Sequence, residues 1–162
     1  MATYRLIVGI IAGIILSFFT VFFFKITGIA ALIKQNIRSN PIKAASLLVG
    51  ANFDFDMISF FTGTPTFLGF FAKELLAWIL IGLLTGIISK GLKRGITAAL
   101  LVVVIDILLW IIFSIISGED LMALFQGTQL SETLGGIISA LIGAFIGGSI
   151  GGLITGPYEE FY

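Results

Sequence analysis

The chain has no cysteine and no histidine in 162 residues, and only three prolines. Lack of cysteine rules out disulfides and thiolate nucleophiles, and lack of both removes the usual protein ligands of structural zinc and haem. Histidine is also the side chain that most often serves as a base near neutral pH. Charge is scarce as well: nine Lys and Arg balance nine Asp and Glu, for a net charge of zero. The basic residues are scattered between apolar runs and form no stripe, so no nucleic-acid partner is expected.

What fills the chain is apolar: 58% hydrophobic residues against 11% charged, with a mean hydropathy of +1.15. Such values lie outside the soluble range and predict an all-α fold, a polytopic transmembrane helical bundle forming a single membrane domain over residues 1–162. At about 20 residues per crossing there is room for about four or five spans. Membrane lipids are the first expected partners, the plasma membrane is the expected location, and no cofactor is expected.

Four runs read as firm spans: 6–24, 67–89, 95–117 and 133–156. The first resembles a signal peptide, but its apolar core exceeds the usual length of about 7 to 15 residues and Lys25 follows without a small-x-small cleavage site, so a retained helix is expected. The second carries Lys73 and Glu74 near its start, and the last stops at Pro157, which cannot continue a helix as an interior residue. Between the first two lies 44–65, apolar overall, yet with Asn52, Asp54 and Asp56 halfway along and Gly50, Gly63 and Pro65 able to break a helix. Lys25, Lys34, Arg38 and Lys43 precede this segment, and Lys90, Lys93 and Arg94 follow the second firm span. A crossing at 44–65 puts both basic clusters in the cytoplasm, leaves the Glu119, Asp120 loop outside and brings Glu159 and Glu160 inside. The charges thus favour five crossings; the alternative is a re-entrant or surface segment with one cluster misplaced. Lys34, Arg38 and Lys43, with Ile33 and Ile37 beside them, also suit a short helix on lipid headgroups, each basic residue being worth about 1 kcal/mol there.

Asp106 lies eleven residues from either end of 95–117. A carboxylate at the centre of a membrane helix costs roughly 2.5 to 3.5 kcal/mol, against about 0.3 to 0.6 kcal/mol returned by each large aliphatic residue around it. The helix can therefore insert despite Asp106, and such a group implies an ion or proton relay, a ligand contact, or polar glue between helices. On its own helix it shares a face with Ala99, Val102, Val103, Leu109, Trp110 and Phe113. A partner must come from another span: Lys73, a hydroxyl, or a backbone carbonyl if Asp106 is protonated.

Asn52, Asp54 and Asp56 are further ion-path candidates. Residues two apart share one face of an unwound stretch but lie about 200° apart on a helix. Unwound, they and nearby carbonyls could ligate a hard cation; otherwise they mark a solvated turn flanked by Phe53 and Phe55. The identity of any metal is left open.

The strongest pattern is in the last span. Gly136, Ala140, Ala144, Gly148, Gly152 and Gly156 repeat at spacing four, beside a second row of Gly135, Ser139, Gly143, Gly147, Gly151 and Thr155. Shorter rows are Gly9, Gly13, Ser17 and Gly82, Gly86. Small side chains in a row let another backbone approach closely. The partner is either another helix of the same chain or a second copy around a symmetry axis. This glycine-zipper helix beside a carboxylate helix is similar to a helix pair of ring-forming rotor proteolipids; there the glycine helix comes first, here it comes second, and the similarity covers only that pair.

Enzyme readings are weak. The Gly-x-Gly-Asp motif of intramembrane aspartyl proteases is missing, lipid phosphatases and many acyltransferases need histidine, and nothing longer supports Asp54 and Asp56 as a metal-dependent transferase. Two functions remain: a small scaffold or accessory subunit packing through its glycine-rich helices, with itself or a larger membrane complex; or an oligomeric cation or proton transporter or channel component using Asp106.

Overall fold

Long apolar runs free of proline make helices here, and short polar or glycine-bearing breaks end them. The computed structural model describes residues 2–24, 26–63, 65–70, 72–120, 122 and 126–156. Lys25, Pro157, Glu159 and Glu160 lie outside them. The described elements are α1 (Ala2–Phe24), α2 (Ile26–Ile37), α3 (Pro41–Gly50), a 3-10 turn (Ala51–Phe53), α4 (Met57–Thr62), α5 (Phe67–Phe70), α6 (Lys73–Ser89), α7 (Leu92–Ser117) and α8 (Gly127–Ile154). No strand occurs among the described residues. Four segments are long and apolar enough to cross a membrane: Tyr4–Val21, Pro41–Thr62, Leu92–Ser117 and Gln129–Ile154. The chain is thus an integral, multi-pass membrane protein by length and composition.

Neighbouring residues fix the helix directions. Gly9 and Gly13 of α1 pack on Ser89 and Thr85 of α6, so these two run antiparallel, whereas Gly13 also meets Val102 and Ser17 faces Asp106, so α1 and α7 run parallel. Gly143, Gly147 and Gly151 of α8 meet Leu75, Ile79 and Leu83 of α6 in parallel register. Lys90 and Gly91 make the turn from α6 to α7, both at positive φ (52° and 89°). Left-handed backbone costs a non-glycine residue about 1–2 kcal/mol, so the turn at Lys90 is held by the packing of the helices it joins.

The segment 44–65 departs from the five-crossing expectation. Although Pro41–Thr62 is apolar enough to span, it is three pieces and not one helix. Asn40 starts α3 by accepting from the Lys43 amide at 3.0 Å, with Pro41 at the first helical position. From there α3 descends antiparallel to the end of α7: Asn40 Nδ2 donates to the Ser117 carbonyl (3.3 Å), the Ser46 and Ser114 hydroxyls share a hydrogen bond of 2.8 Å, and Gly50 packs on Trp110. The helix then tightens into the 3-10 turn over Ala51–Phe53 and breaks at residues 54–56, where Asp56 caps α4 by accepting from the Ile58 and Ser59 amides, both at 3.0 Å. Asp56 and Met57 lie on Gly135, while Ser59 shares a cleft with Gln129 and Glu132, so α4 turns back along the first turns of α8. The segment is a broken hairpin entering from one end of the bundle.

The charge argument for a fifth crossing fails for the same reason. Lys43 pairs with Glu119 at 3.9 Å, so the basic cluster carried by α2 and α3 shares an end with the Glu119 loop. Lys90, Lys93 and Arg94 occupy the opposite end, where α6 turns into α7. Positive-inside counting weighs only part of the energy; here polar ties from α3 to α7 and the hairpin's fit to α8 decide the path.

The run expected over 67–89 is also divided. Ala72 is extended (ψ 153°), and α6 begins at Lys73 with Glu74 in its first turn, where a carboxylate suits the positive helix end. Its 17 residues rise only about 25 Å, short of the roughly 30 Å hydrocarbon thickness. The hairpin fills the remaining height. The Trp78 indole nitrogen donates to the Asn52 carbonyl at 2.9 Å, and the Phe53 ring lies between Trp78 and Trp110, with centroids at 5.4 and 5.6 Å. Trp78→Phe keeps the ring contact but orphans the Asn52 carbonyl, and is expected to destabilise the fold by about 1–3 kcal/mol in detergent denaturation. A loss below a few tenths of a kcal/mol would show that this bond does not hold the hairpin.

Many large apolar side chains face outward, and the core combines small residues with a few large ones such as Trp78, Leu75 and Ile81. Ile7, Ile11, Ile15 and Phe19 on α1, Leu76, Leu80 and Leu84 on α6, and Leu134, Ile138 and Phe145 on α8 are exposed, whereas Ala98, Ala99, Ala140 and Ala144 are fully buried. Both rows on α8 are used within the chain. Gly135 and Gly136 receive the hairpin at Asp56 and Phe53, Gly143, Gly147 and Gly151 receive α6, and Gly148 and Gly152 receive α7 at Gly95 and Gly91. Gly82 and Gly86 of α6 close on Ala144, Gly148 and Gly152. Gly156 ends the helix at φ +71° with open space around it, and takes no part in this packing.

Candidate functional site

Asp106 sits in the bundle core, fully buried, and is the only charged residue among the described buried ones. Val102 and Val103, one turn before it on α7, are equally buried. From α1 the Ser17 side chain faces it. That hydroxyl donates to the Ile14 carbonyl at 2.8 Å, however, and neither carboxyl oxygen of Asp106 receives a hydrogen bond among the described residues. Lys73, a candidate partner by sequence, is exposed at the start of α6. A buried polar group without a partner costs about 1–3 kcal/mol by mutational scales, and an unpaired charge more.

Of the other candidates, Asn52 is brought near and the two aspartates are not. Asn52 is buried in the 3-10 turn, donates from Nδ2 to the Ser17 carbonyl at 3.0 Å, and accepts at Oδ1 from Thr20 Oγ1 at 3.4 Å. Asn52 thus bonds to the backbone of the α1 residue whose side chain faces Asp106. Asp54 is exposed and lines two clefts, of about 350 and 390 Å³, on either side of the hairpin, which share Gly50, Asp54 and Trp110 in their walls. Glu119 and Asp120 line the first cleft; Asp56 and Glu132 line the second. Asp56 is committed to capping α4. Among the described residues no three acidic side chains converge to hold a metal ion, and Asn52, Asp54 and Asp56 have different surroundings: Asn52 bonds to α1, Asp54 is exposed in the cleft walls and Asp56 caps α4.

Lys34 and Arg38 are exposed at and just beyond the end of α2, as a headgroup contact requires. Lys43 is partly covered and turned to Glu119.

No protein-family model, curated protein or solved structure matches the chain.

Sequence reasoning passed over Thr85 and Ser89. Both are buried on α6, and neither side-chain oxygen has a partner among the described residues. Their signal was present: two hydroxyls at spacing four on an apolar helix, matching the spacing of Gly9 and Gly13 opposite. Ser139, on the α8 row between the hairpin contact and the α6 contact, is likewise buried and unpartnered.

Proposed function

We propose that the chain is a cation or proton transporter or channel component working through Asp106, in the plasma membrane, as a homo-oligomer or within a larger membrane complex. The observation that carries this reading is a fully buried carboxyl whose two oxygens have no hydrogen-bond partner among the described residues. A bundle gains nothing in stability from such a group, and intramembrane carboxylates of this kind serve ion and proton movement. The broken hairpin supports it, since irregular backbone at membrane depth persists where it lines a cavity, and clefts flank it on both sides. Internal glycine-zipper packing of α8 against α6 and α7 would hold the carboxyl at a set depth.

One observation favours a second reading, an accessory or scaffold subunit: Ser17 faces Asp106, as polar glue between α1 and α7 would require. Asp106→Asn separates the two, keeping size and hydrogen bonding while removing the exchangeable carboxyl proton. In proteoliposomes, flux through this variant is expected to fall at least ten-fold with assembly intact. Flux equal to that of the unmutated protein would overturn the transport reading in favour of the scaffold.

A further inference from the structure

We infer that the species carried is the proton, and that it moves inside one protomer along buried hydroxyls between α1 and α6, from Asp106 past Thr85 to Ser89. This rests on the transport reading of Asp106 given above.

Three levels of α1 define the route. Ser17 is level with Asp106, Gly13 with Thr85 and Val102, and Gly9 with Ser89. Residues four apart on a helix rise by about 6 Å, close to two successive hydrogen bonds of about 2.8 Å each. One water between neighbouring groups completes the chain at each step. Thr85 Oγ1 and Ser89 Oγ are buried and have no partner among the described residues, as are both Asp106 oxygens. Valine would fit the shape of Thr85 without an unsatisfied hydroxyl. A hydroxyl adds the ability to donate and accept together, which a relay needs and a packing contact does not.

The transfer balances without a further reactant. The O–H bond of the Asp106 carboxyl breaks as one forms on the adjoining water, which passes a different proton to Thr85 Oγ1; Thr85 releases its original proton through the next water to Ser89 Oγ, and Ser89 gives up its own to solvent at the exposed Lys90 turn. The carboxylate is reprotonated from the hairpin side. There Trp110, four residues along α7 and about 6 Å in rise from Asp106, walls both acidic clefts.

Packing along the route excludes larger cations. A methyl group at Gly13 would stand 2.5 Å from Thr85 Oγ1 and 2.6 Å from Val102 Cγ2, so no open pore for a hydrated cation runs beside α1 here, and a bare cation would exchange its hydration shell for fewer oxygens than the roughly six a hard cation takes. The glycines of α1 set this spacing, which keeps the hydroxyls beside the α1 backbone.

The test uses the full chain in phosphatidylcholine–phosphatidylglycerol vesicles with a pH-sensitive dye inside and an imposed membrane potential, and sodium flux measured in parallel. Thr85→Val and Ser89→Ala are each expected to slow proton flux at least ten-fold, Thr85→Ser to retain it within about two-fold, and sodium flux to be absent. Thr85→Val and Ser89→Ala conducting normally while Asp106→Asn does not would overturn the route and leave the transport reading standing. Sodium moving as fast as protons would overturn the proton assignment. Normal conduction by Asp106→Asn would overturn both. Since Thr85→Val is isosteric, its thermal unfolding midpoint is expected to match or exceed that of the parent, which separates lost flux from lost fold.

Discussion

Asp106→Val is expected to make the protein more stable while stopping flux. The parent residue places a carboxyl, charged or neutral, where neither oxygen has a partner among the described residues, amid Val102, Val103 and other apolar side chains. Replacing an unsatisfied buried polar group by an apolar one of similar size recovers about 1–3 kcal/mol. In a protein of this length that raises the unfolding midpoint by about 3–9 °C. The sign of the change is the informative part. Polar glue between α1 and α7 would lose a bond on substitution and lower the midpoint; a group retained for transport has been destabilising throughout. Thermal unfolding in detergent, with flux on the same preparation, reads both quantities. A lower midpoint for Asp106→Val would favour the scaffold function.

Gly147→Leu is expected to leave no folded protein, and Gly147→Ala to cost about 1–3 kcal/mol as overpacking does. At Gly147 the α6 backbone lies so close that an added Cβ would overlap the Ile79 carbonyl and press on the Leu83 amide. Backbone cannot rotate away as a side chain can, so α6 must move off α8, and with it Trp78 and the hairpin it holds. A contrast is provided by Gly118, which takes φ +79° but has nothing within 4 Å of an added Cβ. Alanine there meets conformational strain alone, about 1 kcal/mol. Denaturation midpoints in detergent for the two alanine variants, and folded yield for Gly147→Leu, check this. Folded Gly147→Leu with an unchanged midpoint would mean that α6 and α8 are not in close contact.

Much of this was legible from residue order. Runs of Ile, Leu, Val and Phe without proline marked α1 and α7 to within four residues and α8 to within six, because only a helix satisfies its own backbone in lipid. The mid-helix place of Asp106 followed from counting along one such run, and the spacing-four rows on α8 marked a surface for close approach. What those rows approach was not legible. A period tells which residues share a face, not which helix covers it, and the answer here is divided among the hairpin, α6 and α7.

The hairpin was the least legible part. Gly50, Asn52, Asp54 and Asp56 announced a break, but a helix that breaks can resume across the membrane or turn back. Turning back is settled by contacts remote in sequence: Asn52 with Ser17 and Trp78, Phe53 with Gly136 and Trp110, and Asp56 with Gly135. The positions of both basic clusters follow from that turn, which is why charge counting alone placed them on one face. Thr85 and Ser89 were hidden for a related reason, since a hydroxyl on an apolar helix gains meaning only from the glycine row of α1 laid against it.

By itself, then, the sequence determined a helical, multi-pass membrane protein with one carboxylate deep in a span, since composition, run length and helical period are local properties. Tertiary structure decided that the fifth apolar segment is a hairpin, that the glycine rows are spent inside the chain, and that Asp106 lies in line with buried hydroxyls. Those are properties of pairs of elements, set by which small residues permit two backbones to meet.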